Sequence, residues 1–271
     1  MRRALRSRTT LAATVALLMV GATLTTGAGA AAAAGPVRVM HFNICGAICN
    51  HGVVARTGGD NDIVDDARRR IVALRPAIVT LNEVCIGQFN RLRALLKAAG
   101  WEMNGTFRAQ RSDDRCQGGS GFGDAVFTAA GISGQKVLPL PNSGGESRAI
   151  LCVWTKAGGG SVLACVLHTV TDNPLRSRQV AAAARAANGA GARGAVILGG
   201  DFNTTPSGMG ALLEPGKGGR FVDVDPQRAD TRGNKIDYVL FSRAHFTNPA
   251  GGPQPSRFSD HDVLVGQATR R

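Results

Sequence analysis

A carboxylate and an amide stand two residues apart directly after an apolar run of this chain. Residues 195–198 are apolar, and Gly199-Gly200-Asp201-Phe202-Asn203 follows them. Side chains two apart on an extended segment share one face, so Asp201 and Asn203 could address the same small ligand. A carboxylate with an amide suits a hard metal ion, a polarised water or a phosphate. The alternative is an Asx turn that caps the strand, because Asp, Asn and Gly are also turn residues.

Three more polar residues follow predicted strands. Glu83 comes after the apolar run 78–81, and a carboxylate in that position is costly unless it is paired or bound to a cation. We interpret Glu83 as a Mg²⁺ ligand, the alternative being an acid that precedes the next helix. Asn43 ends the first strand and would lie beside Glu83, although alone it is a typical turn residue. His168 leaves an apolar run towards a polar loop, which favours a functional role over a structural one.

An acid inside an apolar strand and a histidine flanked by acids form a second pattern. Asp237 lies within the apolar run 236–241 and needs a partner, which Asp260-His261-Asp262 could provide. A histidine held by a carboxylate has a raised pKa and a fixed tautomer, and both suit proton transfer. The alternative is a surface histidine that two acids merely flank.

The elements that must position these residues follow from the hydrophobic periodicity. Helices are predicted at 63–74, 89–99 and 172–187, the last with an Asn173 cap and Pro174 at its first position. Strands are predicted at 37–42, 77–81, 101–107, 121–128, 150–154, 162–167, 195–199, 236–241 and 262–266. This order fits an α/β (α+β) fold with two mixed sheets packed face to face and helices outside.

The N-terminal residues have the pattern of a secretory signal. Four arginines precede an apolar stretch at 11–20, and small residues at 27–34 offer Ala-x-Ala cleavage points. The apolar stretch is too short for a comfortable membrane span, which disfavours the alternative of a retained anchor. We therefore expect 1–34 to be removed, a secreted and extracellular protein, and one domain over 35–271. Losing four arginines and no acid lowers the net charge from +13 to +9, which still favours polyanionic partners.

The six cysteines all lie after residue 34, and an even count in an exported protein predicts disulfides. Cys152 and Cys165 would face each other across a hairpin centred on 157–160. Cys45 and Cys49 could close a small loop, which leaves Cys85 to pair with Cys116. A zinc site is the alternative, but no Cys/His cluster has finger spacing.

The order of these motifs resembles one family. Asn43, Leu81-Asn82-Glu83, His168-Thr169, Gly200-Asp201-Phe202-Asn203, Ile236-Asp237-Tyr238 and Ser259-Asp260-His261 occur in the order seen in the endonuclease/exonuclease/phosphatase superfamily. The resemblance spans nearly all of 35–271. It implies a four-layer α/β sandwich and divalent-metal-dependent hydrolysis of phosphoesters.

The resemblance also implies a role for each matching residue. Glu83 resembles the main ligand of Mg²⁺, with Mn²⁺ or Ca²⁺ as alternatives, and Asn43 and Asp260 resemble further members of that site. Asp201 and Asn203 resemble the pair that aligns water and phosphate. The remaining matches are the general base His261, the Asp237 that orients it, and His168, the second histidine of the deoxyribonuclease and sphingomyelinase branches, which stabilises phosphate or protonates the leaving oxygen.

Two expectations concern residues outside the family pattern. Asp124 stands in an apolar strand where many relatives carry an amide or glycine, and we expect it to approach His168 and keep that ring protonated. Arg148 and Arg111 are candidate phosphate contacts, with solvated loop arginines as the alternative.

The choice of substrate depends on charge and on aromatic content. A basic chain with arginine-bearing loops predicts an endonuclease acting on DNA or RNA. One tyrosine and two tryptophans offer few stacking platforms, which contact through phosphates would tolerate. A sphingomyelinase-like or small-molecule phosphoesterase ranks second, because 245–253 has no hydrophobic tip for an anionic phospholipid membrane. A degenerate anion-binding protein is the third candidate. We expect a monomer.

Overall fold

The computed structural model describes residues 35–47, 62–116, 118–228, 231 and 233–271. Segment 1–34, interpreted above as a secretory signal, lies outside these residues. The described chain forms two six-stranded mixed sheets packed face to face, with helices on both outer sides. This arrangement confirms the predicted four-layer α/β sandwich.

The helices and strands alternate along the first half of the described chain, and strands dominate the second half. The helices are α1 (Asp62–Leu74), α2 (Ile86–Ala98), α3 (Asn173–Gly191) and the single turn α4 (Gly210–Leu213), with 3-10 turns at Pro206–Met209 and Pro215–Lys217. The strands are β1 (Val37–Asn43), β2 (Ile78–Cys85), β3 (Asn104–Ser112), β4 (Gly121–Thr128), β5 (Gly134–Pro139), β6 (Ala149–Ala157), β7 (Gly160–His168), β8 (Val196–Asp201), β9 (Phe221–Asp223), β10 (Asp237–Ser242), β11 (Phe246–Gln254) and β12 (Val263–Arg270).

Each sheet contains one parallel pair of strands near its middle. The first sheet has the order β11-β12-β1-β2-β4-β3, and the second has β5-β6-β7-β8-β10-β9. Within the described residues, only β1 with β2 and β7 with β8 run parallel. The carboxyl ends of both pairs meet at one edge of the sandwich, where Asn43 of β1 lies 3.2 Å from Asp201 of β8. Parallel strand ends of this kind are where α/β proteins build their sites.

Alternation along β1 shows how the layers form. Val37 and Val39 point into the apolar core between the sheets, whereas Met40 and Phe42 pack under α1 and α2. Because side chains alternate, His41 must share the inter-sheet face with Val39. A third apolar layer joins α3 to the outer face of the second sheet. No helix among the described residues combines the length and apolarity that crossing a membrane requires.

The three strands that the sequence analysis missed are all edge strands. β5 and β9 border the second sheet and β11 borders the first. The β11 sequence holds two prolines and two glycines and was interpreted as a polar connection, but it pairs with β12 over most of its length. Proline is tolerated at a sheet edge because one side of the strand donates no ladder hydrogen bond. The composition of these edge strands therefore does not predict strand structure.

The start of α3 differs in detail from the prediction. The cap is Asp172 rather than Asn173, because the Asp172 carboxylate accepts a hydrogen bond from the Leu175 amide at 3.1 Å. Pro174 occupies the first turn, where its missing N–H has no helical acceptor to lose.

Two of the predicted disulfides are confirmed. Cys152 faces Cys165 in the β6–β7 hairpin register and is bonded to it. Cys85 at the end of β2 is bonded to Cys116. The third prediction involves Cys49, which lies outside the described residues.

Candidate active site

Four polar residues reach one edge of the sandwich from the two parallel strand pairs. Asn43, His168 and Asp201 are the last residues of β1, β7 and β8. Glu83 differs, because β2 continues beyond it to Cys85. The pairing of β2 with β4 skips from Leu81 to Val84, and Glu83 has φ of 56° at this irregularity. The bulge turns the Glu83 carboxylate towards solvent, where 23% of the side chain is exposed.

Glu83, His168 and Asp201 line a cavity of about 480 Å³. The predicted site residues in its wall are Glu83, Arg148, His168, Asp201, Asn203, Asp260 and His261. Glu83 and His261 therefore face a common cleft. Asn43 and Asp237 lie directly beneath the wall and are fully buried. Arg111 is not part of the lining.

The Asn43 amide joins the acids of the two sheets. Its Nδ2 donates to Glu83 Oε1 at 3.0 Å and to Asp201 Oδ2 at 3.2 Å. Its Oδ1 accepts from the Cys45 amide at 3.1 Å. The nitrogen therefore faces the carboxylates, while the oxygen that would ligate a cation is bonded to the main chain.

His261 and Asp237 form a buried ion pair. His261 Nδ1 lies 2.6 Å from Asp237 Oδ2, and the Thr231 hydroxyl donates to the same oxygen at 2.8 Å. Burial opposes charge on the ring, but the Asp237 carboxylate outweighs it and raises the pKa of His261 to about 10. Burial likewise opposes charge on Asp237, yet His261 and His41 hold the pKa of that carboxyl well below its usual range. The pair leaves Nε2 of His261 directed at the cavity.

His41 is a functional candidate that the sequence analysis missed. It is fully buried between the sheets, with Nε2 3.2 Å from Asp237 Oδ1 and Nδ1 3.0 Å from the Thr80 hydroxyl. Because an ionised carboxylate can only accept, Nε2 of His41 donates to Asp237, and Nδ1 forms a hydrogen bond with the Thr80 hydroxyl. The inward parity of His41 on β1 was the signal in the sequence that could have revealed it.

Asp201 satisfies both interpretations of its motif. Its Oδ1 accepts from the Asn203 amide at 2.8 Å, which is an Asx turn, and its Oδ2 faces Asn43 in the site. Asn203 has φ of 48°, so the segment is not extended, and its Nδ2 donates to the Thr169 carbonyl at 3.0 Å. Burial and the nearby Asp237 charge raise the pKa of Asp201 to about 8.

The predicted contact between Asp124 and His168 is wrong. Asp124 accepts hydrogen bonds from Asn82 Nδ2 at 2.7 Å and from Gln110 Nε2. The side-chain oxygen Oδ1 of Asn82 in turn accepts from the Asp201 main-chain amide at 2.8 Å. Burial and the charge of Arg148 hold the pKa of His168 well below its usual value, so the ring is neutral. Its Nδ1 has no hydrogen-bond partner among the described residues. Asp124 therefore supports the strand end of Asp201 and not His168.

The two predicted phosphate contacts occupy different positions. Arg148 lines the cavity, is 8% exposed and pairs with Glu146. Its Nε and Nη1 have no hydrogen-bond partner in the described part of the chain. Arg111 pairs instead with Glu146 at 2.6 Å and with Asp113 at 2.7 Å. Arg111 therefore holds the partner of Arg148 and does not face the cavity.

The donor set fits a divalent cation. Carboxylate and imidazole atoms of Asp201, Asp237 and His261 lie within 4.8 Å of one another, and the Glu83 and Asp260 carboxylates line the same cavity. Burial raises the pKa of Glu83, with the Asp260 charge a smaller cause in the same direction. Carboxylates crowded out of water in this way are stabilised by a bound cation. Glu83 and Asp260 are the better candidates for ligands, because Asp237 and His261 already bind each other.

The sequence and fold comparisons agree on one family. The chain matches the model of the Endonuclease/Exonuclease/phosphatase family over residues 40–261. It therefore belongs to this family of phosphoester hydrolases. A sequence search of curated proteins finds no match.

Three solved structures show the extent of the likeness. An endonuclease/exonuclease/phosphatase from Beutenbergia cavernae is 24% identical, with TM-score 0.63 and coverage of 87% of this chain and 72% of that one. The human Nocturnin catalytic domain with bound sulfate is 19% identical, with TM-score 0.68 and coverage of 87% and 94%. A mannosyl-6-phosphatase from Bacteroides thetaiotaomicron is 16% identical, with TM-score 0.62 and coverage of 86% and 99%. At these identities the likeness establishes the fold.

Proposed function

We propose that this chain is a secreted, Mg²⁺-dependent phosphodiesterase that cleaves DNA or RNA internally by in-line attack of water on phosphorus. The observation that carries the proposal is the Asp237–His261 pair, whose Nε2 lies 3.4 Å from the Asn43 amide nitrogen and faces the same cavity as the Glu83 carboxylate. A proton acceptor and a cation-binding acid on one cleft are the groups that hydrolysis of a phosphodiester requires.

The proton-transfer role belongs to His261. Asp237 fixes the ring with Nδ1 protonated, so Nε2 is the atom that accepts a proton from the attacking water. Nε2 lies 3.8 Å from Asp201 Oδ2, which can accept a hydrogen bond from that water and orient it. A divalent cation held by Glu83 and Asp260, with Asn43 beside them, would polarise a phosphoryl oxygen and offset the acidic charge that favours protonated His261.

Three side chains are placed to contact the phosphate. Arg148 offers the positive charge, and its Nε and Nη1 have no hydrogen-bond partner among the described residues. Neutral His168 offers an N–H donor without charge, and Asn203 lies on the same wall. Donors aimed at transition-state charge contribute about 2.7–4 kcal/mol each when removed singly. The recognition is thus directed at phosphate and not at a base.

Nucleic acid is the favoured substrate because residues 35–271 are strongly basic, with a net charge of +9 after the loss of four arginines from a chain of +13. Among the described residues that line the cavity there is no Phe, Tyr or Trp, which favours binding through phosphate and sugar. That same lining favours a small phosphoester as the second candidate, which is the type of substrate in the name of the similar mannosyl-6-phosphatase.

We also propose that residues 35–271 are the exported catalytic domain, acting as a monomer. Two disulfides support an oxidising compartment, because such bonds persist mainly outside the cytosol.

One assay panel tests the proposed function. The protein is incubated with plasmid DNA, RNA, sphingomyelin and a chromogenic phosphodiester, each with Mg²⁺ and with chelator. We expect Mg²⁺-dependent cleavage of nucleic acid, and a loss of 10²-fold or more in His261→Ala because a positioned general base contributes about 10²–10⁴. His245→Ala, on the β10–β11 connection and outside the cavity lining, is the matched control for the rate with the chromogenic phosphodiester. Near-normal turnover in His261→Ala would defeat the mechanism, and turnover of sphingomyelin alone would overturn the substrate.

A further inference from the structure

Helix α3 connects the catalytic cavity with a second groove. Val170 and Thr171, just before α3, line the cavity, whereas Ala190 and Arg193, at and after its end, line a groove of about 490 Å³. Nineteen helical residues span about 28 Å at 1.5 Å per residue. The helix thus forms a continuous surface from one depression to the other.

The outer face of α3 is basic. Arg178 and Arg185 are exposed and seven residues apart, so they project from the same side, opposite the buried Val180 and Ala184. The helix contains no acidic residue. Arg178, Arg185 and Arg193 form no hydrogen bond or ion pair through their side chains within the described residues. The three guanidinium groups, which no acid of the described residues neutralises, therefore lie in a row along α3 that ends at the groove.

The groove offers a stacking surface that the catalytic cavity lacks. Trp154 is 38% exposed in its wall and is the one exposed large aromatic side chain of the described chain. Arg270 and His245 line the same groove as Arg193, and no acid does. Arg270 is fixed by donating from Nη1 to the Ser161 carbonyl at 2.7 Å. An aromatic face beside cationic groups suits a base and its phosphate.

We propose that the outer face of α3 and the Trp154 groove form an accessory binding track for single-stranded nucleic acid. Arg178, Arg185 and Arg193 contact phosphates spaced along the strand, and an unpaired base stacks on Trp154. The inference rests on the proposed function and deepens it, since it specifies a polynucleotide that extends from the scissile bond along the protein. A duplex is disfavoured because its bases are already stacked and cannot reach the Trp154 ring.

Binding without catalysis tests the track. A fluorescently labelled 20-nucleotide oligothymidylate is titrated with the protein in chelator, and anisotropy is recorded at several salt concentrations. We expect Arg178→Gln/Arg185→Gln/Arg193→Gln to lower the slope of log K against log salt by about 2, at about 0.7 per lost phosphate contact. We expect Trp154→Ala to weaken binding about tenfold, and the intrinsic fluorescence change on binding to vanish in Trp154→Phe, which leaves only Trp101.

The matched control removes the same charge from the opposite outer layer. Arg91, Arg93 and Lys97 are exposed on α2, and their triple replacement by Gln should leave the salt slope almost unchanged. Both triple variants should hydrolyse the chromogenic phosphodiester at the wild-type rate, because none of these residues touches the cavity. Equal slopes for the two triples, no binding by the wild type, or tighter binding of a matched duplex would each overturn the track. Binding without cleavage in Mg²⁺ would contradict the proposed function alone.

Discussion

At the scale of single residues, Asp237 connects two histidines through its two carboxylate oxygens. His261 binds Oδ2 from the cavity side, and His41 binds Oδ1 from between the sheets. Each ring limits how the carboxylate can rotate, so the direction of His261 depends on a residue that never reaches solvent. The proton acceptor of the site is therefore positioned from the inside of the protein.

The ion pair predicts how stability varies with pH. Because the folded-state pKa of His261 is about 10 and its ordinary value is 6.5, the pair stabilises the protein fully below pH 6.5 and loses this contribution as pH rises from 6.5 to 10. Asp237→Asn removes the charge that raises this pKa. We expect the difference in unfolding free energy between wild type and Asp237→Asn, measured by denaturant titration in chelator, to shrink from pH 6 to pH 10.

The control for this experiment is Asp172→Asn, which retains a capping side chain on α3. Its difference from wild type should be constant over the same pH range. A difference for Asp237→Asn that does not change between pH 6 and 10 would show that His261 is not charged by Asp237.

The sequence predicted a functional role for the acids Asp237 and Glu83, which bring charge into apolar strands. It predicted no role for His41 and Asn82, which are polar residues in the interior of strands. Asp237 and Glu83 stood out because a buried charge requires compensation. His41 and Asn82 did not, since the partners that give them a role, Asp237 and Asp201, come from the other sheet. Only the packing of one sheet on the other defines those contacts.

At the scale of elements, β8 depends on a glycine for close approach. A Cβ on Gly199 would lie 2.2 Å from the Thr80 hydroxyl oxygen of the facing sheet, the group that forms a hydrogen bond with His41. We expect Gly199→Ala to destabilise the protein by about 1–3 kcal/mol through overpacking, measured by denaturant unfolding. Gly131→Ala, where the new methyl group meets nothing within 4 Å, should be close to neutral. If Gly199→Ala were as stable as the wild type, the two sheets would have to separate slightly at this point without cost.

The sequence identified the central strands and α1 to α3 because their periodicity is set by burial on defined faces. It did not show why Gly199 and Gly200 are glycines: both lie inside a regular strand, where a side chain would collide with Thr80 or with the Leu167 carbonyl. Edge strands such as β11 were missed because only one neighbour and little burial constrain their composition.

At the scale of the whole molecule, acids from both sheets meet in one cavity, Glu83 from the first sheet and Asp201 from the second, and burial raises the pKa of both. A cation that binds only the folded state stabilises it by mass action, about 2.7 kcal/mol at a concentration of 100 times its Kd. We expect the midpoint of thermal unfolding to rise with Mg²⁺ in the wild type and to stay nearly constant in Glu83→Gln. Glu102→Gln, an exposed acid paired with Lys97, should respond like the wild type. If Mg²⁺ raised the unfolding midpoint of Glu83→Gln as much as that of the wild type, Glu83 would not be a ligand of the cation.

The order of helices and strands predicted the four layers, and the order of the motifs predicted the family. The cavity could be anticipated from strand ends, but its electrostatics could not. The neutral state of His168 results from burial beside Arg148, and the position of Arg111 results from its bond to Glu146. Both depend on loops whose course is set by tertiary contacts rather than by local pattern.

The pairing of β1 with β12 governs when the enzyme can assemble. Val37, in β1, lies opposite Ala268, in β12, and His261 stands two residues before Val263, where β12 begins. Until β12 pairs with it, β1 has an open edge in the first sheet. A chain that lacks β12 would therefore also lack a fixed position for His261 beside Asp237.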